Sequence, residues 1–277
     1  MSRLAIGNGL RTLVGQMRGV HRMAGGAVTA RYTIEVLRKL PAVVRARTLL
    51  PADEAMRAKR WKLRAGSHTL ELEGRHWSGA REIYGRLVYR PSREFAIQPG
   101  ERVVDLGANV GLFTAFAAVQ GATVLSIEAQ SGFVPEIERN LASNGLRDRA
   151  TIVVALVGAG KGIFASPDDV LSGSHGEQLP PIVGLDVLLD RHGFDRVDFL
   201  KVDIEGSEFA LFQGEIPWLD RVRRIAMEVH PQHGEVRALA RLLRARGFSV
   251  RTTDEQGVET DRLTERGGYL YALREAR

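Results

Sequence analysis

Cysteine is absent from the 277 residues, which excludes disulfides, thiolate nucleophiles and Cys-ligated zinc. No apolar run approaches the ~18 residues that a membrane-spanning helix needs. Arg3, Arg11, Arg18 and Arg22 interrupt the N-terminus where a signal peptide would carry its apolar core, so a cytoplasmic location is expected. Aromatic residues make up only 6% of the chain, and no basic surface interleaved with aromatics is apparent, so no nucleic-acid partner is expected. Acids are scarce at one end. Residues 1–64 hold 14 Lys and Arg against 3 Asp and Glu (+11), whereas residues 65–277 hold 25 against 30 (−5), which together give the net +6.

The basic character therefore belongs to an N-terminal extension, residues 1–64. Ile34, Val36, Leu37, Leu40, Val43 and Val44 give it a helical apolar pattern broken at Pro41 and near Pro51, which predicts two or three short helices. One use for such a segment is peripheral contact with an anionic surface, such as a membrane leaflet, a charged glycan or a partner. The commoner use is a solvated Arg-rich face that caps the fold or mediates a homodimer.

The remainder, residues 65–277, is read as a single catalytic domain. Trp61–Ala65, His68–Glu73 and Glu82–Tyr89 look like short strands or a strand–helix entry. Apolar strands follow at Arg102–Leu106, Thr123–Glu128, Thr151–Val157, Val197–Val202 and Arg224–Val229. Helical stretches alternate with them at Leu112–Val119, Phe133–Asn144, Leu185–Arg191, Ser207–Phe212 and Glu235–Arg246. Phe248–Arg251 and Tyr269–Leu273 supply two further strands around a turn at Glu255–Gly257. The pattern is that of an α/β, Rossmann-like doubly wound, mainly parallel seven-stranded sheet. Gly158–Pro181, rich in Gly, Ser, Pro and Asp, is expected to be a flexible loop.

Within that frame the run Val103-Val104-Asp105-Leu106-Gly107-Ala108-Asn109-Val110-Gly111 is a strand that ends in an acid and breaks into a small-residue turn. Gly107 and Gly111 give the backbone freedom to turn tightly, and the helix from Leu112 points its N–H groups back at the loop. The next strand ends in Glu128, where an acid holds ribose hydroxyls in a doubly wound sheet. Asp105, Gly107, Ala108, Asn109, Gly111, Glu128 and Ala129 are thus the candidate cofactor residues. Gly-Ala-Asn stands where a nicotinamide fingerprint has Gly-x-Gly, and Asp105 would repel a pyrophosphate but suit an ammonium, directly or through water. S-adenosylmethionine has a ribose, an amino-acid tail and no phosphate.

The segments VVDLGANVGLFTAFAA, SIEAQSGFVPEIERNLASNG, the aspartate of GLDVLLD, VDFLKVDIEGSEFALFQG and RIAMEVH resemble the successive motifs of the FkbM family of S-adenosylmethionine-dependent methyltransferases. The likeness runs from about Arg81 to Thr252. It implies the class I methyltransferase fold and O-methylation of a small-molecule or glycan acceptor, a hydroxyl on a sugar, glycolipid or polyketide, with the Gly158–Pro181 loop bordering the active site. The first sixty or so residues resemble nothing in that family.

A hydroxyl is a poor acid, so methyl transfer to it needs a base or a metal. Lys201 and Asp203 close one strand and Glu228 and His230 the next, and ligands gather outside the carboxyl ends of such strands. The first reading makes His230 the general base, oriented by Glu228 or Asp203, with a pKa near the working pH. A second has Asp203, Glu228 and His230 hold Mg²⁺ or Mn²⁺. A third makes Lys201, Asp203 and Glu228 a buried ion-paired network that only closes the sheet. Glu205 and Glu208 are read as acids in the first turn of a helix. Asn144-Gly145 reads as a helix stop, while Asn140 could reach adenine; His76, Trp77 and Tyr84 read as core, and His68, His175, His192 and His233 as surface. A nicotinamide-dependent oxidoreductase and a non-catalytic module with a degenerate site are the alternatives in other functional classes.

Overall fold

The computed structural model describes residues 3–158, 180–264 and 267–274, with backbone alone over residues 3–11. The chain divides into two compact units, Met1–Val88 and Tyr89–Arg277. Residues 65–88 lie in the first of these units, together with the basic helices.

In the first unit, α1 (Arg3–Arg38) is two helical segments, the first of them long, that meet at the non-helical Gly25 (φ 80°, ψ 177°), followed by α2 (Leu40–Ala46) and α3 (Leu50–Asp53). The expectation of only short helices is corrected. Pro41 and Pro51 do mark boundaries, each in the first turn of its helix, where a missing N–H costs nothing. β1 (Arg60–Ala65) and β2 (His68–Glu73) form an antiparallel hairpin, and α4 (Trp77–Ala80) runs on into a π-helical turn at Arg81–Arg86. Glu82–Tyr89, read as a short strand or a strand–helix entry, is helical in its first part. Gly19 and Gly85 let α1 and this turn meet backbone to backbone, since a Cβ on Gly19 would lie 3.1 Å from the Gly85 carbonyl carbon. Trp77 and Tyr84 are buried core, with Trp77 packed between Tyr32 and Trp61. A buried lock closes this unit: Asp53 accepts the Tyr32 hydroxyl and a two-point contact from Arg81.

The second unit is a seven-stranded sheet in the order β5-β4-β3-β6-β7-β9-β8. Its strands are β3 (Arg102–Leu106), β4 (Thr123–Glu128), β5 (Ala150–Val154), β6 (Phe199–Val202), β7 (Arg224–Val229), β8 (Phe248–Asp254) and β9 (Gly268–Arg274). The first five in spatial order are parallel, and β9 runs antiparallel to both β7 and β8. The helices between them are α5 (Leu112–Val119), α6 (Val134–Ala142), α7 (Leu185–Arg191), α8 (Glu208–Leu211) and α9 (Val236–Ala245). Burial on both faces explains why the parallel strands read as almost unbroken apolar runs. One face is aliphatic: Val104, Leu106, Leu125, Leu200, Val202, Ile225 and Met227 pack with Leu188 of α7 and Leu243 of α9. The other carries the register neighbours Ser126, Asp105, Lys201 and Ala226, covered by α5 and an aromatic group that includes Phe113, Phe199 and Tyr89. Most of the Gly158–Pro181 stretch, His175 included, lies outside the described residues. Among the described residues no helix is long and apolar enough to cross a membrane.

Candidate functional site

The chain leaves β3 to build outward through β4 and β5, then returns to place β6 on the other side of β3. That reversal opens the crevice where doubly wound folds hold ligands. The loop between β3 and α5 sits there, and its conformation is tightly specified. Gly107 N–H and Ala108 N–H both donate to the Ile127 carbonyl, at 3.0 and 3.1 Å. Gly107 has φ 74°, and a Cβ there would stand 1.7 Å from the Asp203 carbonyl oxygen, so no side chain is compatible with the close approach of β3 to the end of β6. Asn109 is also left-handed (φ 50°), with its exposed side chain accepting from Val110 N–H at 2.8 Å. Asn140 donates to the Val110 carbonyl at 2.7 Å, so it holds the loop and does not reach toward adenine. Asn144 bonds back to the Asn140 carbonyl and Gly145 turns left-handed, as a helix stop requires.

Asp105 is fully buried. Its Oδ2 accepts the Thr114 hydroxyl at 2.7 Å, Thr114 in turn contacts Ser126 Oγ at 2.9 Å, and Oδ1 lies 3.1 Å from Lys201 Nζ. The ammonium that Asp105 meets within the chain is that of Lys201. Lys201 also donates to the carbonyls of Gly107 at 2.6 Å and Leu106 at 3.2 Å, which fills its three donors. Burial pulls its pKa down, but Asp105 and then Asp203 more than offset this and leave it above the ordinary lysine value. Lys201 is therefore held as a cation that clamps the loop from beneath. Asp203 is the carboxylate of this group that solvent reaches, with Oδ2 bonded by the Tyr89 hydroxyl at 2.9 Å and 3.6 Å from Lys201.

At the end of β4, Glu128 accepts Asn109 N–H at 2.7 Å on one oxygen and Gln130 N–H at 2.8 Å on the other. Burial nevertheless raises its pKa, because two backbone bonds do not replace the water that a carboxylate loses. A carboxylate offers about four acceptor sites, so two remain for a vicinal diol. The residues present thus fit S-adenosylmethionine: Glu128 would take the ribose hydroxyls beside the Gly107–Gly111 loop, with Ala129 at its edge.

The cluster read at the ends of β6 and β7 separates into two. His230 Nδ1 lies 2.8 Å from Oε1 of the buried Glu208, and its Nε2 3.6 Å from Glu205. The Glu208 hydrogen bond is the largest cause of a raised pKa, about 9, against which burial works; the charges of Glu208, Glu205 and Glu228 raise it further. A pKa near neutrality is thus corrected upward. Glu208 also accepts Gly206 N–H at 3.2 Å, so its helix-cap role and its pairing with His230 coexist. Glu205 is left-handed (φ 49°) and 88% exposed at its side chain, a backbone outlier at the mouth of this group. His233 is exposed as expected, although its ring packs against Gly206 so closely that a Cβ there would lie 2.6 Å away. Among the described residues no set of three or more His, Asp or Glu is arranged to hold a metal ion, so the Asp203, Glu228 and His230 alternative does not assemble. Glu208, Thr114 and Tyr89 were missed as site residues. Thr114 carried a signal, since it is the one hydroxyl in the helix LFTAFAAV; Tyr89 carried none.

Comparison with known proteins places this geometry. The 31-O-demethyl-FK506 methyltransferase FkbM of Streptomyces tacrolimicus is 26% identical over 199 residues, covering 56% of this chain and 75% of that one. The AMB antimetabolite synthetase AmbE of Pseudomonas aeruginosa is 27% identical over 252 residues, 70% of this chain and 12% of that protein. Among solved structures, an O-methyltransferase from Bacillus cereus in complex with SAH is 15% identical with a TM-score of 0.38, covering 63% of this chain and 74% of that chain. Likenesses of that size carry no weight of their own; the fold assignment rests on the observed strand order and loop. The methyltransferase FkbM domain matches residues 105–250, more than half of the chain and every strand end that forms the site, which removes the nicotinamide alternative. The chain belongs to the FkbM family of S-adenosylmethionine-dependent methyltransferases.

Proposed function

We propose that this chain methylates a hydroxyl oxygen of a sugar, a glycolipid or glycan, or a polyketide-type natural product. The observation that carries the proposal is the Glu208–His230 pair, with Nδ1 to Oε1 at 2.8 Å, at the carboxyl ends of β6, which pairs with β3, and of β7 beyond it. When bound, S-adenosylmethionine supplies the electrophilic methyl group. This chain's own residues must then orient the acceptor and remove its proton. Glu208 fixes the ring with Nδ1 toward the interior, which leaves Nε2 to accept the acceptor's proton once His230 is neutral. Asp203, which accepts the Tyr89 hydroxyl and is partly open to solvent at the end of β6, is suited to receive a second acceptor hydroxyl. The name of the Streptomyces relative places that protein's methyl transfer on an oxygen, which is consistent with a need for a base.

The test is turnover on hydroxylated acceptors with isotopically labelled cofactor, comparing the wild-type chain with His230→Ala. The variant is expected to keep its affinity for S-adenosylhomocysteine and to lose ~10²–10⁴ in rate, the usual worth of a positioned base. A folded variant with full activity overturns the assignment, and activity lost to a chelator and restored by Mg²⁺ or Mn²⁺ replaces it with metal assistance.

A further inference from the structure

The C-terminal part of α1 and α2 carry an apolar surface that the first unit does not use. Lys39 N–H bonds the Glu35 carbonyl at 3.0 Å and Val43 N–H the Lys39 carbonyl at 2.9 Å, so the helical rise continues across the junction. At about 100° per residue, positions 34, 37, 40, 41 and 44 then fall within roughly 120° of arc. Ile34 is 50% exposed, Leu37 63%, Leu40 42% and Val44 59%, while Tyr32 and Val36 on the opposite side are buried in the core. Leu50, at the start of α3, is also exposed. The exposed Arg38, Arg45 and Arg47 border this stripe. No acid precedes Glu35 in the sequence, and none lies between Glu35 and Asp53.

We propose that this stripe docks the protein on the surface of an acidic phospholipid membrane, lying in the interface without crossing it. Apolar side chains interleaved with arginines are the pattern of an in-plane amphipathic helix: the aliphatic groups reach the acyl boundary while the guanidinium groups meet phosphates. A charged glycan would pair with the arginines but leave Leu37 and Val44 in water. A second copy docked face to face would bring the same arginines against each other, with Glu35, which pairs with Arg38 at 3.1 Å, as the one nearby acid in the sequence between its start and Asp53. Only an anionic lipid surface satisfies both halves of the pattern. The consequence for function is that acceptors presented at a membrane are brought to the enzyme in two dimensions.

The full chain would be tested by flotation with vesicles of phosphatidylglycerol and phosphatidylcholine in equal parts, against vesicles of phosphatidylcholine alone. Binding to the acidic vesicles is expected, weakening by about tenfold or more in Leu37→Gln/Val44→Gln and by a comparable factor in Arg38→Gln/Arg45→Gln. Both variants change exposed side chains and should melt like the wild type. A Leu37→Trp variant gives an independent reading, because its emission should shift to the blue only with acidic vesicles. Three results would overturn the proposal: no binding by the folded wild type, binding that Leu37→Gln/Val44→Gln leaves unchanged, or a dimer in light scattering that the same substitutions dissociate.

Discussion

His230 Nδ1 lies 2.8 Å from Oε1 of Glu208, a carboxylate with no solvent exposure at its side chain, while the ring itself stays partly open. The pairing couples the end of β7 to the first turn of α8 and sets both the tautomer and the basicity of the imidazole. A buried acceptor at Nδ1 stabilises the imidazolium, so the ring becomes a stronger base that is available in neutral form at higher pH.

The rate should carry that signature. Since His230 titrates at about 9 and only its neutral form accepts a proton, kcat/KM is expected to climb with pH and level off above about 9. Glu208→Gln removes the largest cause of the shift, so the rising limb should move toward the ordinary histidine value of 6.5. A profile flat from pH 6 to 10 in the wild type would show that His230 does not act as the base.

Stability should follow the opposite course. The folded pKa of about 9 lies above the unfolded value of 6.5, so the Glu208–His230 contribution is fully present below pH 6.5 and is lost as pH rises through 9. The stability gap between wild type and His230→Gln, measured by urea titration, should be widest near pH 6 and shrink by pH 9.5. A gap that widens toward pH 9.5 contradicts the assigned direction.

Glu128→Ala should weaken binding of S-adenosylhomocysteine by ~1.5–3 kcal/mol, the worth of hydrogen bonds to a charged acceptor, read by calorimetry. Part of that loss reaches the ligand through the loop, because Glu128 also holds Asn109 N–H at 2.7 Å. Glu128→Gln keeps one oxygen and should fall between the two. Unchanged affinity in both variants would remove Glu128 from the ribose site.

What could be read in the sequence was whatever depends on local pattern. Leu112–Val119, Leu185–Arg191 and the strands ending at Leu106, Glu128 and Val229 follow from apolar runs and their punctuation, and the structure has them at those bounds. Partners set by packing could not be read that way. Glu208 and His230 are 22 positions apart, and which of four nearby acids the ring would face depends on the left-handed turn at Glu205 and Gly206. That Asp105 would pair with Lys201 on the neighbouring strand could likewise not be read from local pattern. The fit of Gly19 against Gly85 spans 66 positions and leaves no periodic trace.

The Lys201–Asp105 pair permits the sharpest separation of fold from chemistry. Replacing Lys201 by Met leaves a buried carboxylate unpaired and the Gly107 carbonyl without its lysine donor, while the Leu106 carbonyl keeps the Asp203 N–H, which should cost ~3–5 kcal/mol in unfolding free energy. Lys201→Met/Asp105→Asn removes both charges and should recover much of that stability, since the stranded carboxylate accounts for most of the penalty. The Gly107 carbonyl would still lack its lysine donor, so affinity for S-adenosylhomocysteine should stay below that of the wild type even in the stable double variant. Urea titration and calorimetry on the same two proteins give both readouts. A Lys201→Met enzyme with wild-type stability and cofactor affinity but no turnover would move Lys201 from the support of the loop to the reaction itself.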